Sequence, residues 1–237
     1  MMLRFLAAMA VAASITSGAA SQSVRSYPAD AMCAQEQLCR RCDGPACLKV
    51  ASPAAWPEGV AGGTTTPFHL GPFRLRLPAD PQSIHVLGGG DVIVRYAKDR
   101  WIGFSLQTAT AAGLPLRDDP VPAIDKHPAG TLAFADVPRV IFTKTPDDAE
   151  PRQDDDRRIW RSALTSKHAA LERTTEMSIA TRGPLTLYLA DGGVADLDGV
   201  AYVAHRSLRD GYLYVNARGF AFAEFRRVAG SIEHLKE

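Results

Sequence analysis

The stretch 199–236 constrains the fold more than any other, because its hydrophobic period changes partway along it. Val200, Tyr202 and Ala204 alternate with Ala201, Val203 and His205, which predicts a half-buried strand. Asp210-Gly211 is a hairpin turn signal, so residues 212–217 are expected to return antiparallel. Gly219 ends that strand. Beyond it, Phe222, Phe225, Val228, Ile232 and Leu235 recur at spacings of three and four, the apolar stripe of a terminal helix. So short a helix is marginal alone and needs the hairpin as packing partner. Gly230 falls inside it and is read as tolerated, at about 1 kcal/mol relative to Ala, rather than as a point of close backbone approach.

The same alternation appears earlier. Phe73, Leu75 and Leu77 alternate with Arg74 and Arg76; residues 83–87, 92–96 and 101–106 follow, separated by turns at 78–81, at Gly88-Gly89-Gly90-Asp91 and at Lys98-Asp99. This reads as a four-stranded antiparallel meander. The triple glycine lies between strands, without the spacing or following helix of a phosphate loop, and is read as a hairpin. Residues 107–130, rich in Pro and Gly, are expected to be a long loop and a candidate binding edge. Residues 131–142 suggest a strand broken at Pro138.

Asp154-Asp155-Asp156 opens a second helix, where acidic residues suit the dipole and read as capping and solvation rather than a cation site. Its stripe is Trp160, Ala163, Leu164 and Leu171, with Arg157, Arg158, Arg161 and Lys167 facing out. Residues 174–180 and 185–190 are two more strands. The expected class is α+β: an antiparallel meander with two packed helices behind a Cys-rich segment. The expected divisions are a signal peptide at 1–20, a Cys-rich segment at 21–50, a linker at 51–67 and an α+β domain at 68–237. In the linker, Trp56 is expected to plug a core surface.

The first twenty residues carry Arg4, an apolar run over 5–15 and the small residues Ser17, Gly18, Ala19, Ala20 and Ser21. This is the pattern of a cleaved secretory signal; the run is shorter than the ~20 residues a membrane anchor needs. The expected location is periplasmic or secreted, with no integral membrane segment after cleavage. With 27 basic and 26 acidic side chains, the chain has no global attraction to nucleic acid.

All four cysteines, Cys33, Cys39, Cys42 and Cys47, fall in one short segment. Behind a signal peptide an even count favours two disulfides, whose pairing spacing does not choose. Haem attachment is rejected, because Asp43 stands where a His is needed. A four-thiolate zinc knot has only one Cys-x-x-Cys pair, and a redox pair at Cys39 and Cys42 lacks a βαβ setting, so both are secondary.

No complete catalytic, cofactor or metal motif is present. Gly103-Phe104-Ser105-Leu106-Gln107 begins like a nucleophile elbow but lacks its final glycine. Asp196-Leu197-Asp198-Gly199 resembles part of a calcium loop but reads as a turn. His69, His85, His127, His168, His205 and His234 show no zinc-protease spacing.

The element order over 68–236 resembles the PsbP-like α/β sandwich, most closely at Tyr212-Leu213-Tyr214-Val215 leading into Phe222-Ala223-Glu224-Phe225. That resemblance implies an accessory, non-catalytic binding protein of a membrane-associated assembly; some periplasmic immunity proteins look similar in general plan. The leading expectation is an exported protein that binds another protein and carries no cofactor or metal. The alternatives are a small exported hydrolase using Ser105, His205 or an acidic residue such as Asp198, and a structural envelope protein.

Overall fold

The computed structural model describes residues 45–59, 65–88, 90–108, 132–171, 173–192 and 196–235. The α+β class holds: the described residues form eleven strands in two sheets, with three α-helices. The strands are β1 (Ser52–Pro53), β2 (Thr65–Leu70), β3 (Phe73–Pro78), β4 (Ser83–Val86), β5 (Val92–Arg95), β6 (Trp101–Thr108), β7 (Met177–Arg182), β8 (Leu185–Ala190), β9 (Gly199–His205), β10 (Gly211–Arg218) and β11 (Glu233–His234). The helices are α1 (Val137–Thr143), α2 (Asp154–Leu171) and α3 (Phe222–Gly230).

The large sheet runs β1-β7-β8-β9-β10-β6-β5-β4. All its pairings are antiparallel except β1 with β7. The small antiparallel sheet runs β11-β3-β2. The expected meander is therefore divided: β4, β5 and β6 are neighbours in the large sheet, while β3 lies in the other. Its alternation, Phe73, Leu75 and Leu77 in and Arg74 and Arg76 out, is as read. The turn at Lys98 and Asp99 has both residues at positive φ, 62° and 56°, which matches the twist of a tight hairpin.

Two cores flank the large sheet. On one face Leu185, Leu187, Leu189, Val203, Leu213 and Val215 pack with Phe73, Leu75 and Leu77 of β3 and with Phe225 and Val228 of α3. On the other face Tyr188, Val200, Tyr202 and Tyr212 pack against α1 and α2 through Phe142, Val140 and Trp160. The central strands are thus covered on both faces, so β9 is largely buried rather than half-buried. Helices on one face and a second sheet on the other leave no solvent side there.

Several expectations are corrected. The terminal helix stops at Gly230; Ile232 is buried beyond it, and Glu233–His234 form β11 against β3. A Cβ on Gly230 would overlap the carbonyl oxygen of Pro57, so this glycine does admit another backbone. The partner comes from the expected linker. Residues 51–67 contain β1 and the start of β2, and Trp56 donates its indole N–H to Gly230 O at 2.8 Å while the Arg182 guanidinium lies over its ring. Trp56 packs on the core as expected. Pro138 does not break a strand: it occupies the first turn of α1, where its missing N–H costs nothing.

Lys167 does not face out; it is 0% exposed. Its ammonium donates to Lys49 O at 2.5 Å and to Lys144 O, tying α2 to the end of α1 and to the N-terminal segment. Lys49 in turn donates to Leu171 O at 3.2 Å and to Thr174 O, capping the C-terminus of α2. Asp156 is also buried, and its carboxylate accepts the Leu132 N–H at 2.8 Å. Among the described residues no helix is long and apolar enough to cross a membrane.

Candidate functional site

The register decides first whether the hydrolase residues meet. Tyr214 is the cross-strand partner of both Ser105 and Tyr202, so these three share the face towards α1 and α2. His205 is three residues beyond Tyr202 and lies on the opposite face with Ala201 and Val203. Asp198 precedes β9 at its far end, where it accepts the Gly219 N–H. At the rise of a strand that puts Asp198 roughly 23 Å from His205. Ser105, His205 and Asp198 are therefore three separate residues. The Ser105 hydroxyl donates to the Asp91 carboxylate and accepts from the Gln107 amide at 2.5 Å. The partner of this serine is a carboxylate on the neighbouring strand end, and neither His205 nor Asp198 reaches it to complete the expected arrangement. Among the described residues the His205 ring hydrogen-bonds to the neighbouring Ser207 alone.

Beyond these residues, the described part of the molecule holds no group of three or more His, Cys, Asp or Glu arranged to take a metal. Four tyrosines, Tyr188, Tyr202, Tyr212 and Tyr214, form an aromatic layer with Phe134 and Phe142, with ring centroids 5.0–5.9 Å apart. Burial raises all four phenols, Tyr188 to about 12, so they stay protonated at neutral pH. This layer is core packing rather than an open cleft.

The two edges of the large sheet are where apolar surface reaches solvent, and they differ. At the β1 edge an open groove of about 490 Å³ is lined by Lys49, Val50, Ser52, Pro53, Thr175 and Glu176. Leu48 and Val50 are exposed there. Pro53 removes a donor from this two-residue edge strand, a device that discourages strand addition.

At the β4 edge the described residues show no such device. β4 reads Ser83-Ile84-His85-Val86, without Lys or Pro, and its outer side pairs with no described strand. Ile84, Val86 and Leu87 are 51%, 73% and 46% exposed. Ile84 and Val86 sit opposite Val94 and Val92, both buried in the core under the small sheet. The apolar stripe of the core thus continues through β5 to an open edge. His85 points to the other face, with Nε2 2.9 Å from the Ser83 hydroxyl. Sequence reading placed the strand correctly but gave it no role. Its signal was an alternation without a charge, which only an edge position makes informative.

Of the expected binding loop 107–130, Gln107 and Thr108 end β6 and the rest lies outside the described residues, as do the signal segment, Cys33, Cys39 and Cys42. Cys47 is described: it is buried beside Ala46, in a short 3-10 turn that packs against α2. Comparison with family models, with curated proteins and with solved structures gave no match, so nothing there bears on the PsbP-like resemblance.

Proposed function

We propose that this chain is an exported, non-enzymatic binding protein that takes a protein partner along β4. The observation that carries the reading is the open edge itself: an unblunted strand whose Ile84 and Val86 side chains extend the core stripe into solvent, with Leu87 exposed just past its end. Exposed apolar surface at an unpaired edge favours a partner that supplies an extended segment, with backbone hydrogen bonds for affinity and alternate apolar side chains for specificity. The separation of Ser105 from His205 gives the hydrolase alternative no support. Inhibition of an effector and accessory service in an envelope assembly both fit such a surface.

The same reading keeps the periplasmic or secreted location and two disulfides among Cys33, Cys39, Cys42 and Cys47. Cys47 is buried against α2, so a bridge from it would fasten the N-terminal segment to the core.

The test is paired affinity capture from envelope and secreted-protein extracts with the wild-type chain and with Val86→Lys. A lysine on an exposed edge changes stability by no more than about 0.5 kcal/mol. The expected result is one stoichiometric partner, retained at high salt by the wild type and lost by the variant, with the two denaturation midpoints equal. A partner held equally by both would remove β4 from the interface.

A further inference from the structure

Two imidazoles join the layers at one end of the molecule. His205 ends β9 in the large sheet, and His234 belongs to β11 in the small one. Their rings are stacked, 3.6 Å between centroids and 10° from parallel. The Phe73 ring meets His234 edge-on at 5.9 Å. The Ser207 backbone N–H donates to His205 Nδ1 at 3.2 Å, so that nitrogen is an acceptor and the neutral ring carries its proton on Nε2. The Ser207 hydroxyl lies 2.7 Å from the same nitrogen.

The surroundings of the His205 ring oppose a proton. Arg206 follows His205 on the large sheet, and burial and His234 act in the same direction on the His205 ring. On β8 the cross-strand neighbour is the apolar Leu185. On β11 the one adjacent carboxylate, Glu233, is held by Arg74 of β3 at 2.5 Å, and Arg76 and Arg182 also act on it. On β2, His69 pairs with Arg74. Among the described residues no carboxylate hydrogen-bonds to either ring. Beside the stack, β11 is held by a two-residue pairing with β3, one bond from the Leu235 N–H to Pro72 O at 2.8 Å, the Arg74–Glu233 pair and a bond from Arg182 to Ile232 O.

We infer that the His205–His234 stack is a proton-operated latch, which keeps β11 on the small sheet while both rings are neutral and releases it when both are charged. The first proton is tolerated, since a cation stacks on a neutral ring. The second sets two like charges face to face at van der Waals distance. Because the His205 value in the fold lies below the ordinary value of about 6.5, the contact stabilises fully above that pH. Its contribution is lost as pH falls through the folded value. The inference is independent of the function proposed for β4.

The test is hydrogen exchange of the full oxidised chain at pH 7.5 and pH 5, corrected for intrinsic rates, read at the amides of 232–235. The wild type is expected to lose protection at pH 5, on the order of tenfold, while amides of the β9–β10 pairing hold theirs. His205→Phe keeps a stacking ring that takes no proton, and its protection should be nearly the same at both pH values. His205→Gln removes the stack and should give low protection at both, which covers a Phe variant that fails to fold. Equal wild-type protection at the two pH values, or a variant that keeps the wild-type response, overturns the latch.

Discussion

At the scale of single residues, two positions reverse their sequence reading, and both can be weighed. Gly230 lies at the end of α3, where alanine would ordinarily gain about 1 kcal/mol. The carbonyl of Pro57 occupies the space its Cβ needs, and Pro57 Cβ is 3.0 Å from that position as well. Overpacking of this kind costs about 1–3 kcal/mol, so the steric cost exceeds the helical gain. Gly230→Ala should lower the urea midpoint, and an unchanged or raised midpoint would mean that the strap around Trp56 yields. Lys167 is the second. Among the described residues its ammonium bonds to backbone carbonyls and to no carboxylate, and burial pushes its pKa down to about 8 despite Asp148 nearby. The unfolded chain therefore takes a proton near pH 10.5 while the fold waits until about pH 8. Stability from this group is full above pH 10.5 and falls by roughly 3 kcal/mol on going down to pH 8. Lys167→Met leaves two carbonyls without their donor but has no such slope. Its deficit against the wild type should be larger at pH 10.5 than at pH 8, as read by chemical denaturation at the two values.

At the scale of elements, α3 carries the most specific expectation. Phe225 is fully buried, and its ring lies where a Cβ on Gly199 would be, so helix and strand approach closely at that glycine. Phe225→Ala should destabilise by about 3–5 kcal/mol, measured by denaturant unfolding; a midpoint within error of the wild type would take this helix out of the core account. The elements that were legible share a reason. β3, β5, β6, β8 and β10 show their period because one face is dense in Val, Leu and Phe, and α2 shows Trp160, Ala163, Leu164 and Leu171 at helical spacing. The elements misread are those whose local chemistry is overruled by tertiary contact. Ile232 and Leu235 continue a helical stripe in sequence, yet the chain leaves α3 at Gly230 because Glu233 and His234 pair with β3. Thr65 to Pro67 look like linker but gain a strand's hydrogen bonds from Leu77 and its neighbours. Lys167 lies on the side of α2 that the N-terminal segment covers, and no periodicity in α2 itself carries that information.

At the scale of the whole molecule, the large sheet sets what the protein presents. Its middle strands are covered on both faces, so its two edges are where it can meet another chain. One edge ends in Pro53; the other is β4, bare and apolar. The candidate site was only half legible: the strand and its alternation can be read from residues 83–87, but its edge position depends on β3 leaving the meander for the small sheet. Nothing in β3 announces that choice, since Phe73, Leu75 and Leu77 suit either sheet. The most direct measurement is hydrogen exchange on the captured complex, comparing free and bound chain peptide by peptide. The account predicts new protection concentrated at residues 83–87, with β1 and its groove unchanged. Protection that falls on the β1 groove or on 109–131 instead, with 83–87 exchanging as in the free protein, would contradict it.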